Sequence, residues 1–353
     1  MDKLTYRILD ALGSRLGNPI SISRLAGDIK KKYGKGQYRN IYYKAKALEK
    51  EGIITLASSG KSMLAELNLA YARLPDTMAL AELESKSSLL AKRKSLGIIL
   101  PEIESAFARE FYTIDSISLI SPERNARLNR MELLFILREG ESRQIQNEAK
   151  AIYSLAKTIR DRYNIRIDCL IMPEKAFISF LKSPEINPLK EMLADKIAFS
   201  SPQMFWAVIC AAYMRGDKAA AQEGIEPGKI SDDELRYNLL RFGYSEIGWK
   251  ASEQNRICIE MIIAAAMLER GARLFYAAPV LLLKNKPDMM LLAFICLKYR
   301  LLGKLLGILE ALRRLGHKEY AEMEEVIKAI GVKTEQVDLS AVKRNMELYG
   351  TWQ

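Results

Sequence analysis

The chain has 353 residues, of which 49% are hydrophobic and 27% are charged, and its formal net charge is +11. This composition is typical of a globular protein and excludes a disordered or collagen-like chain, and the length allows two or three domains. The positive excess fits a polyanionic partner.

Neither a membrane span nor a disulfide scaffold is expected. The longest apolar run, Met289–Leu297, is too short to cross a bilayer, and the first thirteen residues lack the apolar core of a signal peptide. His317 is the only histidine, so a Ser-His-Asp or Cys-His catalytic system built elsewhere in the chain would have to recruit it. The cysteines stand singly, without zinc-site spacing: Cys169, Cys210, Cys258 and Cys296. We expect a cytoplasmic protein with buried reduced thiols, no cofactor and no membrane contact.

The chain begins with two predicted helices and a lysine-rich connection. The first helix carries Leu4, Ile8, Leu9 and Leu12, and the second, capped by Ser21 or Ser23, carries Leu25, Ala26 and Ile29. A loop with two glycines is then expected, containing Lys30, Lys31, Lys32 and Lys35. A lysine run is often only a solvated surface, but if the next helix binds a polyanion, Lys31, Lys32 and Lys35 would contact its phosphates.

The next stretch, 37–68, predicts a third helix and a hairpin. An apolar stripe is formed by Ile41, Ala45 and Leu48, and Arg39, Tyr43, Lys46 and Lys50 fall on the opposite side. Gly52 ends the helix. Ser58, Ser59 and Gly60 predict the hairpin turn, and Met63, Ala65 and Leu67 alternate as in a half-buried strand.

This stretch resembles the second half of a winged-helix DNA-binding domain. Leu48, Glu49 and 51–54 match the "LEKEGxI" end of its recognition helix, and 59–61 correspond to the tip of the wing. The resemblance covers residues 1–70 and implies binding of duplex DNA. The implied contacts are Gln37, Tyr38, Arg39, Asn40, Tyr42, Tyr43 and Lys46 in the major groove, with Lys61 near the backbone or minor groove.

The local charge agrees with this resemblance. Residues 1–70 hold thirteen Lys and Arg against six Asp and Glu, so +7 of the total +11 lies in one fifth of the chain. Such a concentration is the electrostatic footprint of a nucleic-acid binder. The alternative is a helix with a solvated basic face beside an unrelated hairpin.

Residues 71–112 are charged and leucine-rich. Helices are predicted at Thr77–Leu96 and Glu102–Phe111, with Pro75 and Pro101 as breaks. The first of these helices is either a connector or a pairing helix, and both interpretations are open.

From Ile114 onward, strands alternate with helices, which favours a small α/β unit. The predicted strands are Ser116–Ser121, Met131–Leu137 and Ile165–Met172, and the predicted helices are Ser142–Tyr163, Glu174–Leu181, Pro188–Asp195 and Gln203–Arg215.

The order from Ile117 to Trp206 resembles the nucleotidyltransferase fold of the polymerase-β type. That resemblance implies a Gly-Ser turn and three carboxylates that hold two metal ions. Here Ser121-Pro122 replaces the turn, and the carboxylate positions hold Arg130, Glu132 and Asp168. Because a guanidinium stays charged and proline has no N–H, we expect a degenerate domain that binds no metal and transfers no nucleotide. Glu132 and Asp168 would then be solvated positions on strand ends.

The remainder, from Ser231, is predicted to be helical. The helices expected are Asn255–Arg270, one around Pro279, Met289–Leu315 and two short ones near the end, the last capped by Asp338 or Ser340. A wide apolar stripe broken by Gly303 and Gly307 is either core or a partner surface, and consists of Leu301, Leu302, Leu305, Leu306, Leu309 and Leu312.

The predicted fold class is therefore α+β and mostly helical, in four segments. These are a winged helix at 1–70, a helical connector at 71–112, a nucleotidyltransferase-like α/β domain at 113–215 and a helical domain at 216–353.

Three functions fit these elements. The first is a DNA-binding transcriptional regulator, expected to be a homodimer, whose remaining chain dimerises, senses a ligand or holds a protein partner. This arrangement is similar to antitoxin-type regulators of prokaryotic phage-defence systems. The second is an active nucleotidyltransferase that holds its substrate with the winged helix, and the third is a scaffold whose winged helix binds protein. Arg130 argues against the second, and the basic excess argues against the third.

Overall fold

The computed structural model describes residues 1–111, 113–127, 129–213, 224–246, 248–250, 252–268 and 271–351. The protein is a mixed α and β protein in which helix predominates. Contacts divide the chain into two units. Unit 1 comprises 1–139, 173–183 and 188–223, and unit 2 comprises 140–172, 184–187 and 224–353.

The elements are numbered in chain order. The strands are β1 Ile20–Ser21, β2 Ile54–Ser59, β3 Ser62–Leu67, β4 Ile114–Ile120, β5 Arg130–Leu137, β6 Arg166–Pro173 and β7 Lys196–Ser200. The helices of the first half are α1 Lys3–Gly13, α2 Ile22–Tyr33, α3 Tyr38–Lys50, α4 Leu74–Lys92, α5 Leu96–Glu110, α6 Pro122–Arg127, α7 Ser142–Tyr163, α8 Glu174–Lys182, α9 Pro188–Ala194 and α10 Pro202–Tyr213. Those that follow are α11 Asp232–Arg241, α12 Ile259–Met267, α13 Ala272–Phe275, α14 Ala277–Asn285, α15 Met289–Lys298, α16 Leu302–Arg314, α17 Ala321–Ala329 and α18 Leu339–Leu348.

Unit 1 begins with three helices and a small antiparallel sheet. The strands lie in the order β1-β3-β2, with Ala65 of β3 opposite both Ile20 and Leu56. The helices form because each has an apolar face and a defined start: the Asp2 carboxylate accepts the first amides of α1, and the Ser21 hydroxyl caps α2. Of the predicted inward residues Leu4 is only half-buried, because it lies at the start of α1, and the others are buried: Ile8, Leu9, Leu12, Leu25, Ala26, Ile29, Ile41, Ala45 and Leu48.

Two details of this region differ from the sequence prediction. Lys30, Lys31 and Lys32 do not lie in a loop but in the last turn of α2, which ends at Gly34 with a left-handed φ of 73°. Cations are favourable at a helix C-terminus because the helix dipole is negative there, so the lysine run prolongs the helix. The hairpin turn consists of Gly60 and Lys61 only, because Ser58 and Ser59 belong to β2 and pair with β3. Gly60, with a φ of 57°, occupies the turn position that favours glycine.

The predicted break at Pro101 is wrong, because this proline lies inside α5. Pro75, in contrast, stands at the start of α4, where a missing N–H costs nothing. Pro101 lies in the second turn of α5, and its neighbours Leu100 and Ile103 are buried, so the helix continues through the proline as part of the core.

The second sheet of unit 1 contains a strand that the sequence analysis missed. β4 pairs antiparallel with β5 on one side and with β7 on the other. β7 is anchored by Glu82 of α4, whose buried carboxylate pairs with Lys196 and accepts hydrogen bonds from the Ala198 amide at 2.9 Å and the Trp206 indole at 3.1 Å. The short helix α6, which begins directly after Ser121, was not among the predicted helices.

Unit 2 contains β6, α7 and the helices from α11 onward. The predicted helix Met289–Leu315 is in fact two helices, because Arg300 adopts a left-handed φ of 61° between α15 and α16. The apolar stripe of α16 is core, since its leucines at 301, 302, 305, 306, 309 and 312 are all buried. Asp338 caps α18, as predicted.

Two glycines of α16 are required by packing. The Glu335 amide donates to the Gly303 carbonyl at 3.1 Å, so residues 333–337 lie against the helix. A Cβ at Gly307 would lie 2.1 Å from the Glu335 carbonyl oxygen, and one at Gly303 would lie 2.7 Å from the Lys333 oxygen. The glycine spacing of four residues therefore makes a groove on α16 for this segment.

Candidate nucleic-acid interface

The exposed side of α3 holds most of the residues that the sequence analysis placed on DNA. The opposite side of the helix is buried through Ile41, Ala45 and Leu48, which fixes the direction of the remaining side chains. Gln37, Arg39 and Asn40 are exposed. Tyr38 and Tyr43 are large aromatic residues with 51% and 59% exposure. The surface is therefore polar and aromatic over the first two turns of the helix.

Three tyrosines on α3 form a connected aromatic surface. The rings of Tyr38 and Tyr42 stack with centroids 6.2 Å apart, and those of Tyr42 and Tyr43 meet edge to face at 5.8 Å. The Arg39 guanidinium lies over the Tyr43 ring at 5.7 Å from its centroid. This contact restrains the long arginine side chain, which reduces the entropy lost when it binds a ligand.

The N-terminus of α3 faces outward without a side-chain cap. Gln37 is the N-cap residue, but its side chain accepts no amide of the first turn and instead accepts the Asn40 side-chain amide at 3.2 Å. Uncapped amides and the positive end of the helix dipole favour an anion at this position. Gly36 makes this arrangement possible, since a Cβ there would lie 2.5 Å from the Ala26 carbonyl oxygen of α2.

The lysines predicted to contact DNA differ in their surroundings. Lys31 and Lys35 are exposed, whereas Lys32 binds Asp10 with 2.6 Å between Nζ and Oδ2. Partial burial lowers the pKa of Lys32, but the charge and hydrogen bond of Asp10 outweigh it, so the pKa is raised. Lys46 is half-buried and pairs with Glu49 at 3.0 Å. Lys32 and Lys46 therefore already have intramolecular counterions.

Lys61 lies at the tip of the β2–β3 hairpin and is exposed. Lys30 and Lys50, outside the predicted contact set, are also exposed. Within the described residues, these three lysines and Lys31, Lys35 and Arg39 form no ion pair with an acidic side chain. The sequence contained a signal for both residues. Lys30 is the first lysine of the run in α2, and helical spacing placed Lys50 on the side of α3 opposite the apolar stripe.

Ion pairing within 1–70 determines which side chains carry the net positive charge of this segment. Four of the six acidic residues in 1–70 are neutralised within the segment, in the pairs Asp2–Lys44, Asp10–Lys32, Asp28–Arg15 and Glu49–Lys46. Their four partners are neutralised with them, which leaves nine cations and two anions to carry the local +7. A field of one sign over a single helix and its neighbours attracts a polyanion.

The two carboxylates that the sequence analysis compared with metal ligands, Glu132 and Asp168, are in a different environment. Glu132 and Asp168 are each only 2% exposed, so the expectation of solvated strand ends is wrong. The Arg130 guanidinium lies 2.9 Å from Glu132 Oε1, and Arg166 Nε lies 3.0 Å from Asp168 Oδ1. Each carboxylate thus has an arginine two residues earlier on its own strand as counterion. Among the described residues there is no cluster of three or more His, Cys, Asp or Glu arranged to hold a metal ion.

Two further observations concern the whole chain. In its described part, no helix has both the length and the apolar character needed to cross a membrane. The chain matches no protein-family model, no curated protein and no solved structure.

Proposed function

We propose that this protein is a sequence-specific DNA-binding protein that acts as a transcriptional regulator in the cytoplasm of a prokaryotic cell. Residues 1–70 are its winged helix-turn-helix domain, and the remaining chain supplies dimerisation or binds a partner protein or ligand. The observation that carries the proposal is the exposed face of α3, where three tyrosines, Arg39 and an uncapped helix N-terminus lie together.

The order of elements supports a winged helix. Two helices are followed by α3 and then by a hairpin, and β1 before α2 completes an antiparallel sheet in the order β1-β3-β2. In this arrangement α3 is the recognition helix and the β2–β3 hairpin is the wing. The major groove of DNA, about 12 Å wide, admits one α-helix.

The side chains of α3 divide into two roles. Arg39 and Asn40 are exposed donors of the kind that read guanine and adenine edges. The phosphates are bound by the α3 N-terminus and by exposed lysines, chiefly Lys31 in the last turn of α2 and Lys35 in the α2–α3 connection. Lys61 at the wing tip contacts the backbone or minor groove.

The decisive experiment is selection of genomic DNA fragments by the purified full-length protein, followed by sequencing. We expect enrichment of one sequence motif. The Arg39→Ala variant is expected to lose the motif while keeping residual binding, because bases are read by Arg39 and phosphates by lysines. Lys318→Ala, which removes an exposed lysine from unit 2, serves as the matched control and is expected to select the same motif.

Two results would overturn the proposal. One is recovery of fragments without any common motif, and the other is wild-type binding that Arg39→Ala leaves unchanged. Binding to all fragments alike, with an affinity that falls as salt rises, would still indicate a DNA-binding protein but would contradict its role as a sequence-specific regulator.

A further inference from the structure

Helix α4 has apolar side chains on both faces, but unit 1 covers only one of them. Leu74, Met78, Ala81 and Leu89 are buried. Leu80 and Leu83 are 53% and 45% exposed, although both are large apolar residues in the middle of a regular helix. The other exposed residues of α4 are mostly polar, among them Asp76, Glu84 and Ser88, so the two leucines differ from their surroundings. The exposed face of α4 therefore lacks a partner within the described part of the chain.

The two exposed leucines share one side of α4 with the exposed Ser87 and the half-buried Leu90. At 100° per residue, the directions of Leu80, Leu83, Ser87 and Leu90 fall within about 80° of each other, and we call these four residues the α4 surface. Ser87 is small and exposed, which allows a second helix to approach closely. At the N-terminal end, the side-chain hydrogen bond from Gln203 to Asp76 brings α10 alongside, and the next residue, Met204, is 44% exposed.

The charges around this surface indicate what covers it. Asp76, in the first turn of α4, lies in the same direction as the α4 surface, and the exposed Lys94 follows the end of the helix. Two copies of α4 packed antiparallel would bring each acidic end beside a basic end, whereas parallel packing would bring like charges together. The surface is thus complementary to itself under a two-fold rotation, as an isologous dimer interface must be.

We propose that the α4 surface is the homodimer interface of this protein, formed by antiparallel packing of α4 against α4 of a second copy. In the symmetric register, Leu80 faces Leu90 of the partner subunit, Leu83 faces Ser87 of the partner subunit, and Asp76 lies opposite Lys94 of the partner subunit. The proposal names the surface and its register, and it holds whether or not residues 1–70 bind DNA.

The size of the surface predicts a weak dimer. A helix of 19 residues is about 28 Å long and about 10 Å wide with its side chains, so its projected face is about 280 Å². A specific interface of standard size buries about 800 Å² on each partner. Even with Met204 added, α4 supplies less than that. We therefore expect a dimer that dissociates in the micromolar range.

The test is sedimentation velocity of the full-length protein over a concentration series that brackets the micromolar range. Wild type is expected to shift from monomer to dimer as concentration rises. Leu80→Glu and Leu83→Glu are expected to remain monomeric, because each buries a charge against apolar side chains. The matched control is Leu348→Glu, at an apolar side chain of α18 that is 74% exposed, and it is expected to dimerise as wild type does.

A charge exchange tests the register. Asp76→Lys and Lys94→Asp are each expected to weaken the dimer by placing like charges opposite each other, and the double variant is expected to restore it. Thermal melts establish that each variant is folded, and Leu80→Ser replaces Leu80→Glu if the latter unfolds. A wild type that stays monomeric, or dimerisation unaffected by both leucine substitutions, would overturn the interface. Failure of the double variant to recover would overturn the antiparallel register.

Discussion

Two adjacent lysines of α2 provide the sharpest test of the DNA interface. Lys31 is exposed and has no acidic partner among the described residues, whereas Lys32 is bound to Asp10 at 2.6 Å. A lysine contributes to DNA binding by displacing a counterion from a phosphate, and a lysine already paired with a carboxylate contributes less. We expect Lys31→Ala to weaken binding and lower its salt dependence more than Lys32→Ala does.

The magnitude follows from the number of available cations. Six exposed side chains without an acidic partner surround the proposed interface: Lys30, Lys31, Lys35, Arg39, Lys50 and Lys61. If each contacts one phosphate, log K falls by about 5 for each log unit of salt, or about a thousandfold between about 50 and 200 mM. Loss of Lys31 removes about 0.9 from this slope, which is about a threefold change over the same range.

The assay is fluorescence anisotropy of a labelled duplex titrated with the full-length protein at several salt concentrations. Lys318→Ala is the control, since it removes the same charge outside the proposed interface. A flat salt response in the wild type would contradict the polyanion interface as a whole. Equal slopes for Lys31→Ala and Lys32→Ala would refute the argument that ion pairing determines which lysines bind.

Four further predictions concern other parts of the molecule. Arg39→Ala should cost roughly 1–3 kcal/mol on the preferred sequence and relax specificity, whereas Lys61→Ala should weaken preferred and random DNA equally, as competition titrations with both duplexes would measure. The segment 113–215 should transfer no nucleotide, and metal-dependent labelling of any acceptor by a labelled nucleoside triphosphate would contradict this. Gly307→Ala should destabilise the protein by about 1–3 kcal/mol in urea unfolding, because its Cβ would overlap a backbone oxygen, whereas Gly97→Ala, with no atom within 4 Å of the new Cβ, should be neutral or slightly stabilising. Burial raises the pKa of Glu260 to about 7, so the free energy of unfolding of the wild type should fall as pH rises from about 4.5 to 7. Over that window Glu260→Gln should become more stable than the wild type by up to about 3 kcal/mol, as paired thermal melts would measure.

Local sequence signals predicted the first 67 residues well because each element there has its own signal. The spacing of Ile41, Ala45 and Leu48 identified the buried side of α3, and the exposed residues opposite could be named from that spacing alone. What spacing does not show is which acids from other elements reach those residues. The pairing of Lys32 with Asp10 joins residues 22 positions apart, so it appears only when α1 and α2 pack together.

The failures elsewhere have the same origin. β7 is only five residues long and lies between two helices, and it is held by Glu82 from a distant helix, so its own sequence gives little indication of a strand. No glycine or proline marks the end of α15, where the exposed Arg300 takes a left-handed conformation and the Leu301 amide donates back to the Cys296 carbonyl at 2.7 Å. Pro101 is a strong local break signal that buried neighbours outweigh. The arginine partners of Glu132 and Asp168 show that an acidic residue aligned with a metal-binding position can instead be neutralised by a neighbour on its own strand.

The route of the chain between its two units has a consequence for biosynthesis. The backbone passes from one unit to the other after residues 139, 172, 183, 187 and 223. Synthesis must therefore reach residue 223 before the last segment of unit 1 is complete, and by then the long helix and strand at 140–172, which belong to unit 2, have been made without the partners that begin at residue 224. Residues 1–67, in contrast, contain all three strands of their own sheet and can close it before the later segments are made. We expect 1–67 to fold early during synthesis and 140–172 to fold only after residues beyond 224 are available, and no single proteolytic cut can separate the two units intact.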